Sequence, residues 1–437
     1  MTRPKLSLFW FRRDLRLHDN HGLYQALTQS EPVLPIFIFD KDILEGLKEK
    51  ADKRVSFIHH ALTGIQETLQ TEGSSLRILH DTPLQAFEKL TKEFDITAVY
   101  TNHDYEPYAM ARDKAIGEFL ATKSIPFHTF KDQVVFEKAE VVKGDGSPYT
   151  IFTPFSKIWK EKYLADKKVR YPSEKHLSNL FKTKPYTLPS LKQLGFEDVP
   201  LNIPPTTPDK SIIQHYDETR NLPYLPNGTS KMSVHLRFGT VSVRELAAMA
   251  SKWNDQWLNE LIWREFFMMI LWHFPHVVTE SFKAKYDRIP WRNNETEFKK
   301  WCEGKTGYAM VDAGMRELNE TGLMHNRVRM VVASFLTKHL LIDWRWGEAY
   351  FAEKLLDYEL SSNNGNWQWA AGCGCDAAPY FRVFNPYEQQ KKFDPDMIYI
   401  RKWIKDYRPG YLDPIVEHDF ARKRVLDVFK SALNQAQ

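Results

Sequence analysis

Three side chains that could bind a polar aromatic molecule fall on one face of a predicted helix. Glu260, Trp263 and Arg264 are spaced at i, i+3 and i+4, and residues with that spacing are neighbours on a helix surface. An acid, a flat ring and a cation together would suit such a ligand. An amphipathic helix with an internal ion pair has the same pattern, so both interpretations stay open.

A second candidate is an anion site after the turn at residues 226–228. The run Thr229-Ser230-Lys231-Met232-Ser233 combines hydroxyls, backbone amides and one cation. At a helix start these groups can hold a phosphate, and Lys231 would add charge for a diphosphate. Taken alone, the run fits an ordinary helix N-cap better.

Two tryptophans, Trp367 and Trp369, lie two residues apart in an amide-rich segment that begins at Asn363. In a strand such residues share one face, whereas in a helix they point about 200° apart. In a helix or loop they can therefore contact different environments. Plain core packing of two aromatics fits the spacing equally well.

A further set of candidate ligand-binding residues lies at a predicted, arginine-containing helix start near residue 327. Arg329 could pair with Asp357 or Glu359, either as a structural salt bridge or as part of a ligand site. No Ser-His-Asp order, metal-ligand cluster or phosphate-binding Walker loop stands out. The sequence therefore offers candidates for ligand binding without a familiar hydrolytic or metal site.

Composition narrows the class of protein. The 437 residues, 43% of them hydrophobic, suffice for two or three domains. The net charge of +4 permits a local basic surface without proving nucleic-acid binding. Three cysteines cannot build a disulfide framework, and residues 1–5 do not open a signal peptide. We therefore expect an intracellular, cytoplasmic protein in a reducing compartment, with no membrane segment.

Strand and helix patterns alternate over the first part of the chain. Near-continuous apolar runs predict parallel strands buried on both faces, with helices between them. The predicted strands are residues 6–11, 32–40, 76–79, 96–100 and 127–130, with a further apolar stretch at 134–136. We expect an α/β domain with a parallel, Rossmann-like sheet over residues 1–130, although no GxGxxG run follows the first strand.

The pattern changes after residue 130. Residues 131–210 are rich in proline and turn residues, which predicts an interdomain linker. From residue 211 to residue 437, apolar residues recur at helical spacing and predict an all-α domain. Eleven of the 13 tryptophans lie after residue 250, which favours this half for stacking on a flat ligand.

Several long motifs resemble those of the photolyase/cryptochrome family. Residues 10–20 (WFRRDLRLHDN) resemble the opening signature of the family, and residues 306–330 resemble a second motif. Residues 364–369 (NGNWQW) and 376–386 complete the set in family order. The resemblance implies an α/β antenna domain followed by a helical domain that binds FAD.

By position, the resemblance implies a set of FAD contacts. Arg329 is expected beside the isoalloxazine as the partner of Asp357, and Asn363 is expected to face flavin N5. Lys231 stands where relatives often carry Arg, which keeps the charge but loses the planar fork. The expected FAD contacts are Tyr216, Thr229, Ser230, Lys231, Met232, Ser233, Trp257, Arg264, Arg329, Asp357, Glu359 and Asn363.

The resemblance is to class I cyclobutane pyrimidine dimer photolyases, which implies a pocket for a flipped-out lesion. Trp263 and Trp369 would wall that pocket. Glu260, protonated in a dry apolar setting, would hydrogen-bond a pyrimidine carbonyl. The histidine pair of (6-4) photolyases has no convincing match, so that lesion is not expected. The expected DNA and lesion contacts are Arg220, Glu260, Trp263, Asn326, Arg327, Met330, Trp369 and Gln389.

Three tryptophans match the family's electron-transfer chain, with Trp367 nearest the flavin, then Trp344, and Trp291 nearest solvent. With Glu260 and Asn363 they are the expected catalytic residues. The implied function is light-driven repair of dimers in UV-damaged DNA by electron transfer from photoexcited reduced FAD, in a monomer and without a metal. A cryptochrome-like blue-light photoreceptor without repair activity is the alternative.

The sequence indicates the identity of a second, antenna chromophore less clearly than it indicates FAD. The glutamate typical of folate-binding relatives is not clearly matched in residues 104–113, and their Cys-Lys pair is missing near residues 277–278. The set looks more like that of deazaflavin-binding relatives. We therefore expect 8-hydroxy-5-deazaflavin rather than methenyltetrahydrofolate, with flavin or an empty site as the further alternatives.

Overall fold

The computed structural model describes residues 3–165 and 169–434. Residues 1–2, 166–168 and 435–437, which the expected domains and linker include, lie outside the described residues. The chain divides into two compact units: Met1–Glu140, Trp159–Thr207 and Lys231–Lys252 form the first, and Val141–Ile158, Pro208–Ser230 and Trp253–Gln437 form the second. The expected domain boundaries at residues 130 and 210 stay a prediction.

A parallel sheet forms the centre of the first unit. Its strands are β1 Lys5–Phe11, β2 Val33–Asp40, β3 Arg77–Asp81, β4 Asp95–Asn102 and β5 Phe127–Phe130. Their order is β3-β2-β1-β4-β5, and all neighbours are parallel. Every residue of β2 is buried, which is why the central strands read as continuous apolar runs. The predicted parallel sheet is confirmed, but residues 134–136 form no strand.

Helices connect the strands and make up most of the second unit. In chain order they are α1 His21–Leu27, α2 Lys41–Leu44, α3 Lys53–Thr71, α4 Pro83–Glu93, α5 Pro107–Ala121, α6 Phe152–Ala165, α7 Lys210–Gln214, α8 Tyr216–Thr219, α9 Ser233–Phe238, α10 Val243–Trp253, α11 Asp255–His273, α12 Glu295–Cys302, α13 Ala309–Thr321, α14 Asn326–Ser334, α15 Trp344–Lys354, α16 Leu360–Ala371, α17 Pro386–Phe393, α18 Ile398–Trp403 and α19 His418–Asn434. Short 3-10 helices are Ser173–Asn179, Pro275–Val278 and Ala284–Arg288. The predicted helical C-terminal region is confirmed. Among the described residues, no helix is both long and apolar enough to cross a membrane.

The sheet reverses its strand order between β1 and β4, and ligands of such sheets bind beyond the carboxyl ends of the strands at that point. Arg12 and Arg13 follow β1 there. Arg12 pairs with Asp113, and Arg13 Nη1 lies 2.7 Å from Glu106 Oε1. The Arg12 side chain is 8% exposed, so these charges form a buried network instead of solvated loop ends.

The core of the second unit surrounds α14, α16 and the segment that follows α14. Its largest buried rings include Trp301, Trp344 and Trp367. The regular α-helical geometry of α14 ends at Ser334, and Phe335–His339 then forms one π-helical turn. Single π turns within helices often mark functional positions.

Candidate functional site

A cleft in the second unit brings together seven of the predicted site residues. The cleft is open to solvent, and its empty space together with that open mouth is about 610 Å³. Its predicted members are Asn326, Arg329, Met330, Asp357, Glu359, Asn363 and Trp367. Phe351, Leu355, Ala333, Ala370, Ser362 and Asn366 complete the lining. The lining combines polar with apolar groups, which suits a large flat ligand with a polar edge.

Helix α16 supplies one wall of this cleft. Glu359 caps the helix, accepting hydrogen bonds from the Ser362 backbone N–H at 3.3 Å and from its hydroxyl at 2.7 Å. Asn363 and Trp367 follow at four-residue spacing, so all three face the same side. Trp367 is buried and Trp369 is half-buried outside the cleft lining. The two tryptophans therefore do contact different environments, as a helix requires.

Arg329 and Asp357 form the principal ion pair of the cleft. Arg329 Nη2 lies 2.8 Å and 3.1 Å from the two Asp357 oxygens, and its Nε donates to the Met324 carbonyl at 2.8 Å. The Asp357 side chain is 2% exposed and that of Arg329 is 27% exposed. Of the two partners that the sequence allowed, the structure selects Asp357.

The amide of Asn363 is held in one orientation. Its Nδ2 donates to the backbone carbonyl of Glu348 at 3.0 Å, which leaves the oxygen Oδ1 as the acceptor that the side chain can offer to a ligand. The Glu348 side chain lies beside Asn363 and Asn364, and burial raises the pKa of this carboxyl to about 7. A titratable group thus stands directly behind the residue expected at flavin N5.

The raised pKa of Glu348 has a stability consequence. Between pH 4.5 and about 7 the native state keeps a proton that the unfolded state has lost, so the residue lowers stability as pH rises through this range. We expect Glu348→Gln to raise the melting temperature by a few degrees at pH 8 and to leave it unchanged at pH 4.5. Thermal denaturation at both pH values checks this, and an equal shift at both would contradict it.

The predicted tryptophan series lies in one hydrophobic cluster. Trp367 and Trp344 are 2% and 1% exposed, and Trp291 is half-buried against the same cluster. Trp291 is therefore the most exposed of the three, whereas burial does not distinguish Trp367 from Trp344, so the expected order of electron transfer stays a prediction. Trp301, which sequence reasoning missed, is fully buried, and its ring centroid lies 6.1 Å from that of Trp367.

The protonated Glu260 expected in a lesion pocket stays a prediction, and in this structure its carboxyl lies in an ion pair. Glu260 Oε1 lies 2.5 Å from Arg220 Nη1, and the two side chains are 28% and 22% exposed. Gln256 Nε2 donates to the same oxygen at 2.9 Å. The carboxyl is paired with a cation because α8 and its following turn bring Arg220 against α11, a long-range contact that helix spacing does not encode.

Apart from Asn326 and Met330, the predicted lesion and DNA residues lie outside the cleft lining. Trp263 is half-buried and stacks on Phe152 with a centroid distance of 3.7 Å. Arg327 Nη2 donates to Asn221 Oδ1 at 2.7 Å. Among the expected FAD contacts, Tyr216, Trp257 and Arg264 also do not line the cleft. Trp369 and Gln389 are half-buried in the same unit.

The run from Thr229 to Ser233 leads into a helix start, as expected, but not as an ordinary side-chain N-cap, and its role as an anion site stays a prediction. Helix α9 begins at Ser233 with Met232 as N-cap, and no side chain caps it. Lys231 is exposed and has a left-handed backbone, with φ of 55°. Thr229 and Ser230 belong to the second unit, whereas Lys231, Met232 and Ser233 belong to the first.

Ser362 and Asn366 are cleft residues that sequence reasoning missed. They fall on the same face of α16 as Glu359, Asn363 and Trp367, at three- and four-residue steps. A helical assignment for this segment would have identified them from spacing alone. The segment's amides and glycine obscured that assignment, because they leave no apolar periodicity.

Family models match most of the chain. Residues 7–173 match DNA photolyase, and residues 257–409 match the FAD binding domain of DNA photolyase. The deoxyribodipyrimidine photo-lyase of Synechococcus sp. (strain ATCC 27144 / PCC 6301 / SAUG 1402/1) is 37% identical over 474 residues, which cover 98% of this chain and 96% of the relative.

Solved structures agree with this assignment. A bacterial class III photolyase from Agrobacterium tumefaciens has a TM-score of 0.85 at 30% identity, covering 99% of this chain and 98% of that chain. An archaeal photolyase from Sulfolobus tokodaii has a TM-score of 0.82 at 33% identity, covering 97% of this chain and 99% of that chain. The fold, the FAD-binding region and the cleft within it agree with these similarities: the chain belongs to the DNA photolyase family.

Proposed function

We propose that this protein repairs cyclobutane pyrimidine dimers in DNA under light, by electron transfer from photoexcited reduced FAD to the flipped-out dimer. One observation carries the proposal. Asn326 and Met330, expected to contact the lesion, line the same cleft as Arg329, Asp357 and Asn363, expected to contact FAD. A shared cleft is what direct electron transfer between the two molecules requires.

The donor set of the cleft fits FAD. The isoalloxazine has a polar edge, for which Arg329, Asp357 and the Asn363 amide offer complementary groups, and an apolar ring that Phe351, Leu355 and Ala370 can cover. When bound, FAD supplies light-driven one-electron chemistry, and the protein supplies binding, orientation and electrostatics. Because the Asn363 nitrogen is held by the Glu348 carbonyl, its oxygen can accept a hydrogen bond from a protonated N5.

Substrate binding would change the environment of Glu260. Arg220 and Arg327 are the proposed phosphate contacts, and such contacts weaken as salt rises. An Arg220 guanidinium engaged by phosphate no longer neutralises Glu260, which then needs another partner. A pyrimidine carbonyl hydrogen-bonded to a protonated Glu260 would meet that need in a pocket that DNA has closed to water.

We expect Glu260→Ala to lower the repair yield per bound dimer by about tenfold, the cost of roughly one charge-assisted hydrogen bond, while FAD content stays near normal. The measurement is repair per absorbed photon together with the flavin-to-protein ratio. Asp255→Ala on the exposed start of α11 is the matched control. Complete loss of FAD in Glu260→Ala would assign the residue a structural role instead.

The decisive experiment follows dimer loss directly. The purified protein with fully reduced FAD is illuminated with dimer-containing duplex DNA, and recovery of thymine absorbance is recorded. We expect recovery in light and none in the dark. Absence of recovery with reduced FAD present would favour the cryptochrome-like photoreceptor, which needs the flavin and the tryptophans but not Glu260, Met330, Trp263 and Trp369 together.

We further propose an antenna chromophore in the first unit, with 8-hydroxy-5-deazaflavin favoured over methenyltetrahydrofolate. The carboxyl ends of β1 and β4, where the strand order reverses, are the expected location for a ligand of this sheet. The Sulfolobus tokodaii structure is described as holding two FAD molecules, which supports flavin as the next alternative. Absorption and mass spectra of the ligands released by denaturation distinguish these three chromophores.

A further inference from the structure

Lys338 is a fully buried cation that the proposed repair reaction does not use. It lies in the π-helical turn Phe335–His339 and is 1% exposed. Among the described residues it forms no ion pair with a carboxylate. Its Nζ donates one hydrogen bond, to the Ala371 carbonyl at 2.7 Å. A buried lysine without a counter-ion costs stability, so its presence calls for a functional explanation.

The two contacts of Lys338 connect it with two elements that carry or touch the tryptophan series. Ala371 is the last residue of α16, the helix that carries Asn363 and Trp367. On its other side, Lys338 Nζ lies 4.1 Å from the ring centroid of Phe429. The edge of the same Phe429 ring meets Trp291, with a centroid distance of 5.8 Å and an interplanar angle of 85°.

The charge of Lys338 changes within the physiological range. Burial lowers the pKa of its ammonium to about 7, opposed by the nearby Cys373 thiol. The pKa of Cys373 itself is raised to about 12, and that of His339 is lowered to about 3, so both keep fixed charge states between pH 6 and 8. The titratable and charged groups around Lys338 and Phe429 are Cys373, Tyr286, Tyr380, His339, His418 and Arg424.

We propose that Lys338 is a positioning residue of the tryptophan series, whose charge controls how readily Trp291 gives up an electron. The step is the transfer of one electron from the Trp291 indole to an oxidised Trp344. No covalent bond forms or breaks, and the Lys338 proton stays in place. An external thiol then returns one electron to Trp291. The inference rests on the proposed function, in which flavin is the final electron acceptor.

The electrostatic reason is direct. Oxidised Trp291 is a cation, and an ammonium on the other side of Phe429 raises its energy in the low-dielectric interior. With Lys338 protonated, the electron hole stays on the inner tryptophans and recombines. With Lys338 neutral, the hole reaches Trp291 and is filled by the thiol. Photoreduction is therefore favoured above pH 7.

The test compares photoreduction of the FAD-loaded protein at pH 6 and pH 8, with a thiol donor and transient absorption of the tryptophan radical. In the unsubstituted protein we expect the yield of long-lived reduction to rise roughly tenfold over this range. Lys338→Met, which is uncharged, is expected to give the high yield at both pH values. Lys338→Arg, which stays charged, is expected to give the low yield at both.

Two controls keep the outcome decisive. Glu348→Gln removes the other group with a pKa of about 7, a carboxyl beside Asn363. The rise of the photoreduction yield with pH must persist in this variant. A readout independent of FAD chemistry is thermal stability. Relative to Lys338→Met, the unsubstituted protein gains stability as pH rises above about 7, because its native state has released a proton that the unfolded lysine keeps up to 10.5.

A flat pH profile in the unsubstituted protein, or the same rise in Lys338→Met, would overturn the role of Lys338. If Lys338→Met fails to load FAD, the pH profiles of photoreduction in the unsubstituted protein and in Glu348→Gln still test the proposal. Failure of the proposed function gives a different result. Absence of dimer repair, or normal photoreduction in Trp367→Phe, would contradict that function. The pH profile of photoreduction and the stability difference could still be measured in either case.

Discussion

Replacement of Trp367 by phenylalanine is expected to slow light-driven FAD reduction by about 100-fold or more, equivalent to at least about 2.7 kcal/mol of barrier. A phenyl ring is much harder to oxidise than an indole, so the first electron donor beside the flavin is lost. Phenylalanine can still pack in the space between Gly347 and Phe351, at a stability cost of about 1–2 kcal/mol.

Dimer repair distinguishes the proposed electron-donor role of Trp367 from a structural role. Protein reduced chemically needs no tryptophan donor, so Trp367→Phe is expected to repair dimers at nearly the normal rate after dithionite treatment. Photoreduction is followed by the loss of oxidised-flavin absorbance under blue light. Trp159→Phe, which alters a fully buried tryptophan of the first unit, is the control and should photoreduce normally. Equal loss of photoreduction and repair in Trp367→Phe would refute its assignment as an electron donor.

Replacement of Arg329 by methionine is expected to abolish FAD retention. It leaves Asp357, whose side chain is 2% exposed, as a buried charge without its partner. Breaking such a pair costs about 3–5 kcal/mol when both groups are buried, and about 2–3 kcal/mol here because Arg329 is partly exposed. Urea denaturation and the flavin-to-protein ratio measure the two effects.

The double variant Arg329→Met with Asp357→Leu tests whether the pair serves binding or stability. Replacing a buried pair by apolar side chains of similar volume is often neutral for stability. We therefore expect the double variant to regain most of the lost stability and still to lack FAD. Retention of FAD by either variant at near-normal affinity would show that the pair is structural.

Local periodicity was sufficient to predict the fold class. The apolar runs of β1 and β2 reflect strands covered on both faces, and alternation with helices determined a parallel sheet. It also predicted the helices around Glu260 and Asn326. The motifs at residues 10–20 and 306–330 then connected these elements with a family whose FAD-binding region the chain shares.

The tertiary structure decided which side chains meet. Arg329 pairs with Asp357, 28 positions away, and Arg220 pairs with Glu260, 40 positions away, and no local period relates such residues. The orientation of the Asn363 amide depends on the Glu348 carbonyl from a neighbouring helix. The lowered pKa of Lys338 arises from its burial, in contact with Ala371 of α16 and Phe429 of α19. Sequence alone determined the elements and the kind of chemistry, because these depend on local residue types. Packing determined the ion pairs, hydrogen bonds and charge states, because these depend on distances between elements.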